Sequence, residues 1–311
     1  MLYRELGRTG WSTSVVGLGT WNIGNQWGEV DDATAWAIVR TAFDHGVTLF
    51  DAAESYGIPN GLSEERLGTA LAGIRNRVVL VTKIGHWGQR TGQGVPHTTP
   101  DMIRLCAHAC LHRLRTEWAD VMLCHEGDIE DPSVFIEAFE ILKDRGRLRE
   151  YGISTNRLDV LQRFQEVSGG HCAVAEVNYS LLNLAPESEL LPYCHEQGIA
   201  VLVRGPLHRG LLSGRHEATT RFTDSVRSRW HETPESQAAF EEKIARVERL
   251  KRALQPGETL PTMALRYTFS HGTLPVAIPG ATRPEQASMN AAAGERMLTE
   301  SERQRLRATL A

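Results

Sequence analysis

VTLFDAAESYG (residues 47–57) passes from a β-rich apolar run to an aspartate, Asp51, and then to a tyrosine, Tyr56. The uninterrupted run VTLF reads as a strand buried on both faces, since no charged residue alternates with the apolar ones. A carboxylate at the carboxyl end of such a strand, with a phenol just beyond it, lies where parallel α/β proteins keep their chemistry. Fold and function therefore both depend on how the other strands end.

The same pattern recurs along the chain. VVGLG (15–19), VTLFD (47–51), VVLVTK (78–83), VMLCH (121–125), REYGIS (149–154), VAEVNY (174–179), AVLVRG (200–205) and LPVAIPG (274–280) each precede a helical segment. The first four helices begin near Asp32, near Glu64 behind Ser63, at Thr99-Pro100 and at Asp131-Pro132, where capping residues and first-turn prolines mark the starts. Eight strand-helix units in 311 residues fit a single α/β domain, a closed (β/α)8 TIM barrel spanning 1–311 with an N-terminal β-hairpin and a long loop after strand 7. An open doubly wound sheet competes, but GLGTWNIG after the first strand lacks the GxGxxG that a dinucleotide-binding turn requires. The stretch 206–237, rich in Arg, Gly and Ser, is too long for an ordinary connection and is expected to form a lid.

Composition narrows the function classes. A net charge of -4 gives no electrostatic footprint for nucleic acid, so a small-molecule partner is expected. No apolar run reaches the roughly 18 residues of a membrane span, and MLYRELGRTG lacks the apolar centre of a signal peptide, which predicts a cytoplasmic protein without membrane association. Cys106, Cys110, Cys124, Cys172 and Cys194 have no disulfide-like spacing and read as reduced core thiols. The sequence leaves the oligomeric state open.

The strand ends carry Trp21, Asp51, Lys83, His125, Ser154, Glu176, Arg204 and Gly280. Each alone reads as a solvated or structural group. In a barrel, however, they converge on one face. There the Lys83 ammonium is expected to lower the pKa of the Tyr56 phenol, Asp51 to hold Lys83, and His125 to hydrogen-bond a substrate oxygen. Such a group exchanges a proton with a carbonyl or alcohol, and the missing reductant would be nicotinamide.

The ordered set YRELGRTGWSTSVVGLGTWNIG, FDAAESYG, GLSEERLG, VTKIG, DVMLCHEGD, GISTN, EVNYSLL, PLHRGLLSG and IPGATRPEQ resembles the aldo-keto reductase family over essentially the whole chain. The resemblance implies a barrel binding NADPH, with NADH less favoured, and a catalytic tetrad of Asp51, Tyr56, Lys83 and His125. It also implies cofactor contacts from Thr20 and Trp21, from Ser154 and Thr155, and from Glu176 and Arg204. Thr155 stands where Asn is common, Glu176 where Gln is, and Arg204 where an aromatic often stacks; the Arg204 charge is expected to offset Glu176. Gly205, Leu207, Gly210, Leu212, Ser213, Gly214 and Arg215 match the loop over the pyrophosphate. Gly280, Thr282, Arg283, Gln286 and Asn290 match the adenosine end, with Arg283 on a 2'-phosphate and Met289 where Glu is frequent. Trp21, Trp87, Tyr56 and His125 are the expected substrate contacts.

Two motifs invite a metal reading. CAHACLH (106–112) places its cysteines and histidines on different helix faces, and HEGDI (125–129) lacks the second histidine of a zinc-protease helix, so no metal is expected. The function expected is reversible carbonyl reduction. A nucleotide-sensing regulatory or assembly subunit and a phosphosugar isomerase on the same barrel are the alternatives.

Overall fold

The computed structural model describes residues 1–310. An antiparallel hairpin of β1 (Tyr3–Glu5) and β2 (Ser12–Ser14) opens the chain. It is followed by parallel strands β3 (Leu18–Gly19), β4 (Leu49–Asp51), β5 (Val79–Ile84), β6 (Ala119–Cys124), β7 (Leu148–Ser154), β8 (Cys172–Asn178), β9 (Ala200–Arg204) and β10 (Val276–Ala277). Each is hydrogen-bonded to the next in chain order. Parallel bridges Val16 to Ala277 and Gly19 to Gly280 join the last strand to the first, and Gly17 N–H donates to Ala277 O at 2.7 Å. These bridges close the sheet into the expected (β/α)8 barrel.

Helices α1 (Asp32–Asp44), α2 (Leu62–Ala70), α3 (Pro100–Arg113), α4 (Ser133–Asp144), α5 (Leu158–Val167) and α6 (Leu190–Glu196) follow β3 to β8 in turn. Two helices, α7 (Pro234–Arg252) and α8 (Leu260–Phe269), separate β9 from β10, and α9 (Pro284–Ala293) and α10 (Glu300–Ala308) end the chain. The side-chain alternation of each strand sorts two cores. Phe50, Leu80, Met122 and Val203 point outward to Ile38, Leu67, Phe139 and Leu161 of the helix ring. Leu49, Val79, Val81, Val121, Leu123, Val174, Leu202 and Ile278 fill the interior, and Leu6 and Trp11 of the hairpin region pack against them, closing one end.

This alternation places the chemistry. Asp51 lies two residues beyond Leu49, Lys83 two beyond Val81, His125 two beyond Leu123 and Glu176 two beyond Val174, so all four continue the inward rows to the open end. The helix starts agree with expectation at Asp32 and at Thr99, whose side chain accepts from Met102 N–H with Pro100 following. Helix α2 differs: it starts at Leu62, capped by Gly61 in the left-handed region, because the Ser63 hydroxyl is spent on Thr20, donating to its carbonyl at 2.7 Å. At α4 the helix begins at Ser133, with Asp131 accepting its N–H at 3.0 Å. The expected lid stretch 206–237 overruns its true end, since Thr233 caps α7 and Pro234 begins it. Cys106 and Cys110 face the core, while His108 and His112 face solvent.

Candidate active site

Lys83 occupies the centre, with its ammonium fully enclosed. It donates to Asp51 Oδ1 and Oδ2 at 2.6 and 2.7 Å, to Ala52 O at 2.9 Å and to the Tyr56 hydroxyl at 3.2 Å. Glu176 Oε2 is also 3.1 Å from the ammonium. Against its burial, which alone would discharge it, Asp51 and Glu176 hold Lys83 above its ordinary pKa. The Tyr56 ring stacks on Trp21 at 5.6 Å between centroids and meets His125 edge-on at 6.0 Å. Trp21 is fixed in turn: its Nε1 donates to Gln26 Oε1 at 2.7 Å, and the same oxygen accepts Gly57 N–H at 2.8 Å.

The phenol is not acidified as expected. Burial raises its pKa well above the ordinary value; Lys83 pulls it down, but Asp51 and Glu176 push it up again. One ammonium is outweighed by desolvation and two carboxyls, so Tyr56 is held as a protonated donor. Burial, reinforced by His86, Lys83 and Arg204, pushes His125 well below the usual imidazole range, which makes it neutral.

These groups open onto a cavity of about 1030 Å³ that runs from Trp21 and Trp27 across the strand ends to Gln286, Met289 and Asn290 on α9. Of the expected residues, Trp21, Asp51, Tyr56, His125, Ser154, Thr155, Glu176, Arg204, Gly205, Leu207, Gly210, Ser213, Arg215, Gly280, Thr282, Gln286 and Asn290 border it. Lys83 lies directly behind them. The loop from β9 to α7 crosses the mouth, where Ser225 Oγ donates to Gln26 O at 3.4 Å and the Arg227 guanidinium sits 5.4 Å over Trp27. His208, Arg209 and Gly210 are all left-handed, with φ of 47, 52 and 90°, a strained turn that directs Arg209 to the cavity wall.

Several expected residues do not line this cavity. Trp87 does not border the cavity: the Arg113 guanidinium covers its ring at 4.5 Å, and Arg113 is itself held by Glu64 at 2.7 Å. His86 takes its place, stacked 4.2 Å from His125. Thr20 is buried and binds the backbone behind Asp51, donating through Oγ1 to Asp51 O at 2.8 Å. Leu212 packs into the core, Gly214 turns the chain beside Lys251, and Arg283 is exposed at the start of α9 without a side-chain cap bond. Arg204 does not offset Glu176; it donates to Asn156 Oδ1 at 3.1 Å.

The residue types alone did not single out three further groups. Glu54 Oε1 accepts the backbone N–H groups of Gly85, His86 and Trp87 at 2.7, 3.1 and 3.1 Å, which fixes the loop that presents His86. Asn156 Oδ1 also accepts Asn178 N–H at 3.0 Å, and both asparagines border the cavity. Glu54 carries a legible signal, a carboxylate inside FDAAESYG itself. His86 and Asn156 do not, being ordinary loop residues until the strands bring them inward.

The Aldo/keto reductase family model matches residues 15–311. Aldo-keto reductase YhdN of Bacillus subtilis (strain 168) is 32% identical over 297 residues, covering 92% of this chain and 86% of its own. Aldo-keto reductase AKR11C1 from Bacillus halodurans, in its holo form, superposes with a TM-score of 0.82 at 29% identity, over 100% of this chain and 97% of that one. An aldo-keto reductase from Klebsiella pneumoniae in complex with NADPH gives 0.75 at 28% identity, over 100% and 96%. A closed barrel with a tyrosine, lysine, aspartate and histidine gathered at its open end, together with this likeness over the full length, places the chain in the aldo/keto reductase family.

Proposed function

We propose that the protein reduces the carbonyl of a small aldehyde or ketone, using NADPH, with Tyr56 as proton donor. The observation that carries this reading is the Tyr56 hydroxyl, 3.2 Å from a lysine ammonium anchored by Asp51, at the wall of a cavity of about 1030 Å³ that reaches from the strand ends to α9. Glu176, whose buried oxygens have no partner among the described residues beyond the Lys83 ammonium 3.1 Å from Oε2, supplies a polar partner for the nicotinamide end. Gly280 keeps the adjoining wall low: a Cβ there would stand 1.7 Å from Asn22 Oδ1. Arg209 and Arg215 offer positive charge along the cavity, and Arg283 offers it at the start of α9 for the 2'-phosphate. The Klebsiella relative carries NADPH, which supports the same preference here.

When bound, the nicotinamide supplies the hydride. The protein supplies everything else. His125 is neutral and donates an N–H to the carbonyl oxygen without surrendering it, which holds the carbonyl carbon at the open face. As negative charge grows on that oxygen it becomes a far stronger base than a phenolate, so Tyr56 gives up its proton despite a raised pKa. The Lys83 ammonium then faces the phenolate, and Asp51 keeps it there. Trp21 and Trp27, in edge contact at 5.0 Å, wall the substrate side against water.

The test follows NADPH absorbance with a panel of aldehydes, ketones and sugars, for the wild type and Tyr56→Phe. Phenylalanine keeps the stack on Trp21 and removes the hydroxyl, and with it the proton to be given and the contact with Lys83. Turnover should fall by about 10²–10⁴-fold, the range for a lost general acid, while NADPH affinity stays within about twofold. Turnover at the wild-type level in the variant would refute the assignment.

A further inference from the structure

The acid-base group holds one more carboxyl than its ammonium can balance. Asp51 lies 2.6 and 2.7 Å from Lys83 Nζ, and Glu176 lies 3.1 Å from it, with all three side chains shut off from solvent. Two ionised carboxylates would leave a net negative charge where water cannot solvate it, a state that buried groups escape by binding a proton. Among the described residues no second cation pairs with either carboxyl. Glu176 is in register with Ser154 on one side and Leu202 on the other. Tyr56 and His125 face the group as neutral side chains, and Arg204 is turned to Asn156. Glu176 Oε1 also lacks a hydrogen-bond donor among the described residues, and Oε2 has only the Lys83 ammonium 3.1 Å away, although the side chain borders the cavity. A neutral acid eases that deficit, because its hydroxyl becomes a donor itself.

We propose that Asp51 and Glu176 share a single proton beside Lys83, so that Glu176 offers the cavity a neutral carboxyl able both to donate and to accept a hydrogen bond. Burial and the neighbouring Glu176 hold the Asp51 carboxyl well above its ordinary pKa against the pull of Lys83, in keeping with one proton kept within the coupled pair. A neutral carboxyl is the complement of a primary carboxamide, whose C=O takes the O–H while its NH₂ gives to the acid's carbonyl oxygen. On the cofactor proposed above, on which this last step rests, that carboxamide belongs to nicotinamide, and Glu176 acts as a pH-dependent reader of it.

Infrared difference spectroscopy of the cofactor-free protein near neutral pH, in H₂O and D₂O, tests the shared proton directly. The wild type should show a deuteration-sensitive protonated carboxyl that both Glu176→Gln and Asp51→Asn lose, because Lys83 then faces a single carboxylate and ionises it. Absence of any such carboxyl in the wild type, or its survival in either variant, overturns the proposal. A second arm measures NADPH affinity against pH by tryptophan fluorescence. Affinity should fall by about tenfold per pH unit once the pair loses its proton, and stay level in Glu176→Gln. Equal pH dependence in both proteins removes the reader role. A protein that shows the carboxyl signal but binds no NADPH supports the shared proton and sinks the proposed cofactor instead.

Discussion

Replacing Lys83 by Met removes what is, among the described residues, the only ammonium in contact with Asp51 and Glu176, while keeping a flexible apolar stem in its place. Neither carboxyl can then stay ionised in a fully buried position, so the folded variant must carry a proton on each. Unfolding releases them at neutral pH, because free Asp and Glu titrate near about 4. Each retained proton costs about 1.4 kcal/mol of stability for every pH unit above that value. If the wild type already holds one shared proton, the variant holds one more. The extra destabilisation is then about 4 kcal/mol at pH 7 but only about 1.4 kcal/mol at pH 5, on top of a constant loss from the bond to Ala52 O. The sign follows from a raised folded pKa: stability is complete at low pH and is lost as pH rises. Urea unfolding of both proteins, read by tryptophan fluorescence between pH 5 and 8, measures the difference. A gap that does not widen with pH would show that Lys83 does not set the ionisation of its neighbours. A gap that widens twice as fast would mean that the wild type keeps no shared proton.

Three further outcomes are expected. Arg283→Ala should weaken NADPH by about tenfold or more, the worth of a charge-assisted contact, and leave NADH almost untouched; equal losses in a fluorescence titration would exclude a 2'-phosphate contact. Glu54→Ala strips the acceptor from three backbone N–H groups at 85–87, so the His86 loop should loosen. Substrate KM should then rise several-fold while cofactor affinity holds, and an unchanged KM would detach His86 from substrate binding. Burial, with Lys243, Arg209 and Arg246 nearby, lowers His208 to about 4. The unfolded chain therefore binds a proton from about pH 6.5 downward that the folded chain refuses until about 4, and stability falls across that window. His208→Gln should recover about 2 kcal/mol of the loss at pH 5, relative to pH 7.5, in urea titrations. An unaltered acid sensitivity would contradict it.

The strands were legible because a parallel sheet covered on both faces needs apolar runs, and a polar residue ending each run marks the mouth. Asp51, Lys83, His125 and Glu176 are readable for that reason alone: parity along the strand turns them inward wherever the loops go. Loop residues carry no such constraint. Trp87 and His86 are adjacent in sequence and point to opposite environments, and what decides between them is Arg113, far along the chain, drawn over the indole by Glu64. The acidity of Tyr56 escaped for another reason. Its neighbours could be named from the motif, but the balance between one ammonium, two carboxyls and burial requires distances. Glu176 likewise looks like a simple exchange for glutamine until it is seen sharing a lysine.

The hairpin side chains Leu6 and Trp11, packed against the interior rows, act as a stopper at the foot of the barrel. Lys83 and its carboxyls consequently face bulk solvent by one door, the cavity that Asp51, Tyr56 and Glu176 border. Once an occupant blocks that door the proton inventory is sealed, each turnover draws on what was loaded beforehand, and recharging waits until the product has gone.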